Sequence, residues 1–90
     1  MSLVLTPAEA AYVRRFCYEV ATNQFSPGSV FDRCRDHCRD LEILAAETEI
    51  QYDILEEVQA GWDPPPEAPF PWSSYEDLHR RAEESQVIHS

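Results

Sequence analysis

The sequence lacks lysine, so all seven of its basic residues are arginines. It also lacks any segment that approaches the roughly 20 consecutive apolar residues of a membrane-spanning helix. Its first residues, Met1 to Thr6, have neither the basic region nor the apolar run of a secretory signal. These absences predict a protein that is cytoplasmic and does not associate with membranes.

Glycine and cysteine are scarce. The two glycines, Gly28 and Gly61, are too few and too far apart for a glycine-rich phosphate-binding loop. The three cysteines, Cys17, Cys34 and Cys38, are an odd and low count that argues against a disulfide scaffold. We therefore expect reduced thiols in a reducing compartment.

Negative charge dominates the composition and is unevenly distributed. The formal net charge is −10, yet residues 1–39 contain five arginines and four acids, whereas residues 40–79 contain eleven acids and no arginine. An acidic surface of this kind repels nucleic acid and anionic membranes and attracts basic proteins. The alternative is a solvated acidic face that serves solubility alone.

The pattern of caps and apolar residues predicts an all-α fold in a single domain over residues 1–90. Thr6-Pro7-Ala8-Glu9 combines a capping threonine, a first-position proline and the glutamate of a capping box. Apolar residues follow at helical spacing, which predicts a first helix over about residues 7–24. Asn23 tolerates the left-handed conformation that commonly ends a helix.

A second, very long helix is predicted over about residues 27–60, roughly 50 Å at 1.5 Å per residue. Ser26-Pro27 supplies its start, and neither glycine nor proline occurs between Gly28 and Gly61. Residues at alternating spacings of three and four lie on one face of this helix and form a seam along it. The seam consists of Phe31, Cys34, Cys38, Leu41, Ala45, Thr48, Tyr52, Leu55 and Gln59. We expect the two helices to form an antiparallel hairpin with Cys17 opposite Cys34.

A further apolar stripe, the isoleucine stripe, lies on the other side of this long helix. Ile43, Ile50 and Ile54 project about 160–200° away from the seam at 100° per residue. The first helix is too short to cover the whole seam as well, so both surfaces need a partner. Self-association as a homodimer or other homo-oligomer would bury them. This hypothesis assigns an interface to Ile43, Ile50, Tyr52, Ile54, Leu55 and Val58.

Residues 61–73 are rich in proline and aromatic residues. Five prolines exclude helix and central strand, and Trp62, Phe70 and Trp72 are unusual for a solvated linker. We expect an extended strap that covers the long helix, either of its own chain or of a neighbour. A serine pair then offers a capping box for a short third helix over about residues 74–85.

Cys17, Cys34, His37 and Cys38 are the candidates for metal binding. Three sulfurs and one nitrogen could coordinate zinc. All three cysteines also fall on predicted core faces, where a free thiol packs as a small hydrophobe. A redox pair of Cys17 with Cys34 is a further alternative. We expect packed thiols and no cofactor.

Carboxylates provide the other candidate sites. Glu76 and His79 form one Glu-x-x-His element, whereas a di-iron bundle needs two. Grouped carboxylates late in the long helix could bind magnesium, but no arginine lies near them in sequence to bind a substrate phosphate. A solvated face or a docking patch for a basic protein explains them better. This acidic patch consists of Glu47, Glu49, Asp53, Glu56 and Glu57.

Three functions follow from these observations. The first is a non-enzymatic interaction module that self-associates through the long helix. The second is an acidic inhibitor, of the antitoxin-like or immunity-like kind, that binds a basic partner. The third is a metal-binding or carboxylate-dependent enzyme, for which no catalytic residue can be identified. We expect the protein not to be an enzyme.

Overall fold

The structure, a computed structural model, describes residues 4–88 and the side chains of residues 4–85. Five α-helices occur in this range, with a single 3₁₀ turn at Arg35–His37 between the second and the third. The helices are α1 (Pro7–Ala21), α2 (Val30–Arg33), α3 (Cys38–Glu47), α4 (Ile50–Gln59) and α5 (Tyr75–Ile88). Residues 4–88 contain no strand, which confirms the all-α prediction, and none of these helices is long and apolar enough to cross a membrane.

The start of α1 has the predicted capping box. Thr6 Oγ1 accepts a hydrogen bond from the backbone N–H of Glu9 (3.2 Å), and Glu9 Oε1 accepts one from the backbone N–H of Thr6 (2.9 Å). The helix ends at Ala21, earlier than expected. Asn23 adopts a left-handed φ of 58°, which asparagine tolerates better than most residues. The chain therefore turns at this point toward α2.

The prediction of one continuous helix over residues 27–60 is wrong. The chain leaves helical geometry at Cys34, where φ is −113° and ψ is 28°. It does so again at Glu49, where φ is 65°. The predicted helix is therefore divided into α2, the 3₁₀ turn, α3 and α4. The longest helix among the described residues is instead α1, with 15 residues.

The break at Glu49 allows α4 to fold back on α1. The Thr48 hydroxyl donates to the carbonyl oxygen of Leu44 (2.7 Å) at the end of α3, and the turn leaves Ile54 only 1% exposed. A left-handed residue other than glycine costs roughly 1–2 kcal/mol, whereas burying an isoleucine side chain gains roughly 1.5–3 kcal/mol. Packing therefore outweighs the local strain.

α1 and α4 pack antiparallel to each other. Arg14 forms an ion pair with Glu57 near the end of α4, in which one guanidinium nitrogen, Nη2, donates to both carboxylate oxygens at 2.7 and 2.9 Å. Val20, near the end of α1, borders the same groove as Gln51 at the start of α4. Because α1 also contacts α2 and α3, it is the central element of a bundle. The two-helix hairpin expected from the sequence is replaced by this arrangement.

The core lies between α1, α3, α4 and α5. Its largest fully buried apolar side chains are Tyr12, Phe16, Leu41, Leu44, Ile54 and Leu78. The carboxylate of Glu19 is also buried, at 1% exposure. It accepts hydrogen bonds from the backbone N–H of Phe31 (2.8 Å) and from Arg15 (3.0 Å). These bonds satisfy the buried charge and hold α2 against α1.

The strap packs on α1 of its own chain. The Trp72 ring meets the Tyr12 ring edge-on, with centroids 5.6 Å apart, and its indole N–H donates to Glu9 Oε2 (2.8 Å). Arg15 donates to the carbonyl oxygen of Pro65 (3.0 Å). α1, rather than the isoleucine stripe, is therefore the surface that the strap covers.

Glu9 also anchors α5. Arg81 Nε donates to Glu9 Oε2 (3.2 Å), and the fully buried Leu78 packs α5 into the core. Burial disfavours the charged carboxylate, but hydrogen bonds from Thr6, Arg81 and Trp72 outweigh burial and lower the pKa of Glu9. The first helix turn, the strap and α5 are thus joined at one side chain.

Glu49→Gly tests the strain at the junction of α3 and α4. Glycine adopts the observed φ of 65° without a Cβ clash, although it also increases the entropy of the unfolded chain. We expect the free energy of unfolding, measured by urea denaturation, to rise by about 0.5–1 kcal/mol. Glu49→Ala removes the same charge but keeps Cβ, so it should give no such gain. Equal gains in both variants would contradict the strain.

Candidate functional site

The thiols do not form a metal centre within the described chain. Cys34 is fully buried, and its sulfur lies 2.8 Å from the hydroxyl of Tyr12, so Tyr12 rather than Cys17 is the α1 residue that meets Cys34. Cys38 donates to the carbonyl oxygen of Cys34 (3.3 Å). Among the described residues, no three His, Cys, Asp or Glu side chains are grouped so that they could hold a metal ion.

Burial makes the thiols poor nucleophiles and poor ligands. It raises the pKa of Cys17 to about 12, and it raises the pKa of Cys34 and of Cys38 as well. The thiolate is the form that attacks and that binds metals. At neutral pH the three thiols are therefore protonated, and they pack as small apolar side chains do.

His37, the nitrogen ligand of the proposed zinc set, stacks on α5. Its ring lies parallel to that of Tyr75, with centroids 4.3 Å apart and an interplanar angle of 7°. The Tyr75 hydroxyl donates to the carbonyl oxygen of Arg33 (2.9 Å). These two contacts join the 3₁₀ turn and the end of α2 to the first turn of α5.

The predicted interface is divided between core and surface. Ile54 belongs to the core, so it is not accessible to a partner of this folded chain. Tyr52 and Leu55 remain exposed, at 62% and 40%. The half-buried members, which pack against the core, are Ile43, Ile50 and Val58. The error for Ile54 follows from the break at Glu49, which rotates α4 relative to the expected straight helix.

An apolar groove of about 440 Å³ opens between α1, α3 and α4. Val20 and Leu55 are its exposed apolar members, and Arg39 and Glu42 of α3 are its charged members. The rest of the lining is Phe16, Cys17, Ala21, Ile43, Ala45, Ala46 and Gln51. We call this surface the α1/α3/α4 groove. Sequence analysis missed it because it exists only when α4 folds back on α1.

The predicted acidic patch is also divided. Asp53, Glu56 and Glu57 border a second cleft, of about 490 Å³, between α1 and the end of α4. Glu47 and Glu49 do not line this cleft. Three carboxylates are therefore brought together rather than five.

Two of these three carboxylates have no counter-ion within residues 4–85. Arg14 binds Glu57 at 2.7 Å, but Asp53 and Glu56 form no ion pair with any described residue. Trp62, expected to lie in the strap over the long helix, instead borders the second cleft and is 66% exposed. An indole face beside two carboxylates provides the groups that attract an organic cation.

A cluster that sequence analysis missed joins α3 to α5. His79 Nδ1 lies 3.0 Å from Asp40 Oδ1, and His79 Nε2 lies 2.7 Å from Glu83 Oε1. The other oxygen of Asp40 is 3.7 Å from His37 Nδ1. The hydrogen bond and charge of Asp40, with the charge of Glu83, raise the pKa of His79. The spacing of His79 and Glu83 was visible in the sequence, but nothing linked either residue to Asp40. Glu76, which forms the Glu-x-x-His element with His79 in the sequence, does not belong to this cluster.

Comparisons with protein-family models, with curated proteins and with solved structures find no match for this chain. What the protein does is therefore inferred from its own side chains and surfaces. The α1/α3/α4 groove and the second cleft are concave surfaces that bring predicted site residues together.

Protonated His79 stabilises the packing of α5 on α3, so stability depends on pH. Because the pKa of His79 is raised in the folded chain, this stabilisation is complete below the unfolded value of about 6.5 and is lost as pH rises through the folded value. We expect the urea midpoint of the wild type to fall between about pH 6 and pH 9, and to fall less in His79→Gln. Arg80→Gln, which leaves the cluster intact, should retain the wild-type slope. An unchanged slope in His79→Gln would contradict this role.

Proposed function

We propose that this protein is a non-enzymatic interaction module that self-associates through the α1/α3/α4 groove. The observation that carries the proposal is an apolar concavity with Val20 and Leu55 exposed, at 38% and 40%, on its α1 and α4 sides. Tyr52, one turn before Leu55 on α4, extends the exposed apolar surface. Covering such area stabilises a complex by about 25 cal/mol per Å².

The chemically reactive side chains already make contacts within the chain, and this supports binding rather than catalysis. Cys34 is buried against Tyr12, and His79 is held between two carboxylates. Only a few exposed apolar residues border this groove, so we expect an interface smaller than the standard one, which buries about 1,600 Å² in total. We therefore expect a reversible complex with a dissociation constant on the order of micromolar.

Leu55→Asp tests self-association. The substitution places a carboxylate in the apolar groove, where pairing would bury it without a counter-ion. Light scattering on a sizing column should give a wild-type mass that rises toward two chains between about 1 µM and about 1 mM. Leu55→Asp should stay at one chain.

The matched control is Val4→Asp, which adds the same charge at an apolar residue that is 78% exposed and does not line the groove. This variant should associate as the wild type does. Circular dichroism should show that both variants remain helical, since neither position lies in the core. A wild-type chain that stays monomeric over the whole range would refute self-association.

A second candidate function is the capture of a basic segment of another protein, as an inhibitor of the antitoxin-like or immunity-like kind would do. The observation that favours it is the second cleft, where Asp53 and Glu56 have no counter-ion among the described residues and Trp62 is exposed. An arginine side chain placed there would meet both a negative charge and an aromatic face. This site lies on the opposite flank of α4 from the α1/α3/α4 groove, so the two functions are compatible.

A tetra-arginine peptide tests the second cleft by titration calorimetry at low salt. We expect binding that weakens at least about tenfold in the double variant Asp53→Asn/Glu56→Gln. The control Asp36→Asn/Glu76→Gln removes the same net charge from exposed positions outside the cleft and should bind nearly as well as the wild type. Equal weakening in both double variants would show attraction to net charge alone.

A further inference from the structure

We infer that two copies of this chain meet about a two-fold axis that passes between Arg39 and Glu42, with α3 of one copy antiparallel to α3 of the other. The inference rests on the proposed self-association and specifies its geometry. Arg39 and Glu42 are both exposed, and both border the α1/α3/α4 groove. They are the charged groups that any occupant of the groove must face.

Arg39 differs from most arginines of this chain in having no ion pair among the described residues. Five of the seven arginines form ion pairs, namely Arg14, Arg15, Arg35, Arg80 and Arg81. Arg39 and Glu42 form none with any described residue, and neither makes a side-chain hydrogen bond there. Arg33 also lacks an ion pair, but it does not line the groove.

Their spacing makes the pair self-complementary. Residues three apart on a helix lie on one face, about 5–6 Å from each other. In a two-fold interface, a contact from one residue to a second is repeated in the reverse direction. An antiparallel α3 pair therefore places Arg39 opposite the partner's Glu42, and Glu42 opposite the partner's Arg39. A parallel pair would place like charges together.

Charge complementarity thus selects the occupant of the groove. A basic segment would be repelled by Arg39, and an acidic segment would be repelled by Glu42. A second copy provides the opposite charge for both residues at once, and it brings its exposed Val20 and Leu55 toward those of the first copy. The two unpaired charges and the unpartnered apolar surface are then satisfied by one interface.

The net charge of the chain affects the strength of this dimer. Two copies that each carry −10 repel each other over distances longer than the ion pairs. Salt at about 0.15 M screens charges beyond roughly 8 Å and leaves the apolar contact unaffected. Association should therefore strengthen between low salt and about 0.15 M, whereas a complex with a basic partner would weaken.

Charge reversal tests the geometry. Arg39→Glu and Glu42→Arg each create two like-charged contacts across the axis, so each should raise the dissociation constant, measured by sedimentation equilibrium, at least about tenfold. The double variant Arg39→Glu/Glu42→Arg restores opposite charges and should return within about threefold of the wild type. Arg33→Glu, which changes the net charge as Arg39→Glu does but lies outside the groove, should stay close to the wild type.

Mixing the two single variants gives a second result. In a mixed dimer of Arg39→Glu with Glu42→Arg, both contacts across the axis join opposite charges. We therefore expect the mixture to dimerise more tightly than either variant alone. A parallel pair would also give opposite charges in this mixture, so the orientation is decided by the loss in each single variant and its recovery in the double variant, which a parallel pair would not show.

The possible outcomes distinguish an error in the two-fold dimer geometry from an error in the proposed self-association. If the wild type associates and Leu55→Asp abolishes association, but the charge reversals change nothing, the two-fold placement is wrong and self-association stands. If the wild type never associates, both are wrong. Loss in the single variants without rescue in the double variant or in the mixture would also overturn the antiparallel pairing.

Discussion

Three segments that are far apart in the chain converge on the buried carboxylate of Glu9. Thr6 at the start of α1, Trp72 in the strap and Arg81 in α5 all donate to it. A buried charge that loses a partner costs several kcal/mol, so the carboxylate is stable there only while the donors are in place. The docking of the strap and of α5 on α1 is consequently cooperative. α4 packs along a different part of the α1 surface, and the groove forms between α1, α3 and α4.

Local chemistry was sufficient for the parts of the fold that depend on neighbouring residues. The capping box of Thr6 and Glu9 could be predicted because both of its hydrogen bonds lie within four residues. The prolines of residues 61–73 excluded helix for the same reason. The break at Glu49 could not be predicted, because glutamate has no intrinsic preference for a positive φ. It is stabilised by the burial of Ile54 against elements distant in sequence.

The candidate site could likewise be predicted from the sequence only in part. Helical spacing assigned Tyr52 and Leu55 to one side of the α4 segment, and both are exposed in the structure. Ile54 was selected with them because the second side was assumed to face solvent. Arg39 and Glu42 carried no signal, since a charged pair on a helix is ordinary until an apolar groove is seen beside it. His79 likewise acquired significance only from Asp40 on another helix.

The position of α1 in the bundle affects the order in which the protein can fold. α1 contacts the nearby α2 and α3, and it also contacts Glu57, Trp72 and Arg81 much later in the chain. Part of its surface therefore lacks its final partner until α4, the strap and α5 have been synthesised. A helical protein whose central helix depends on such distant contacts should fold more slowly than a bundle of sequential hairpins.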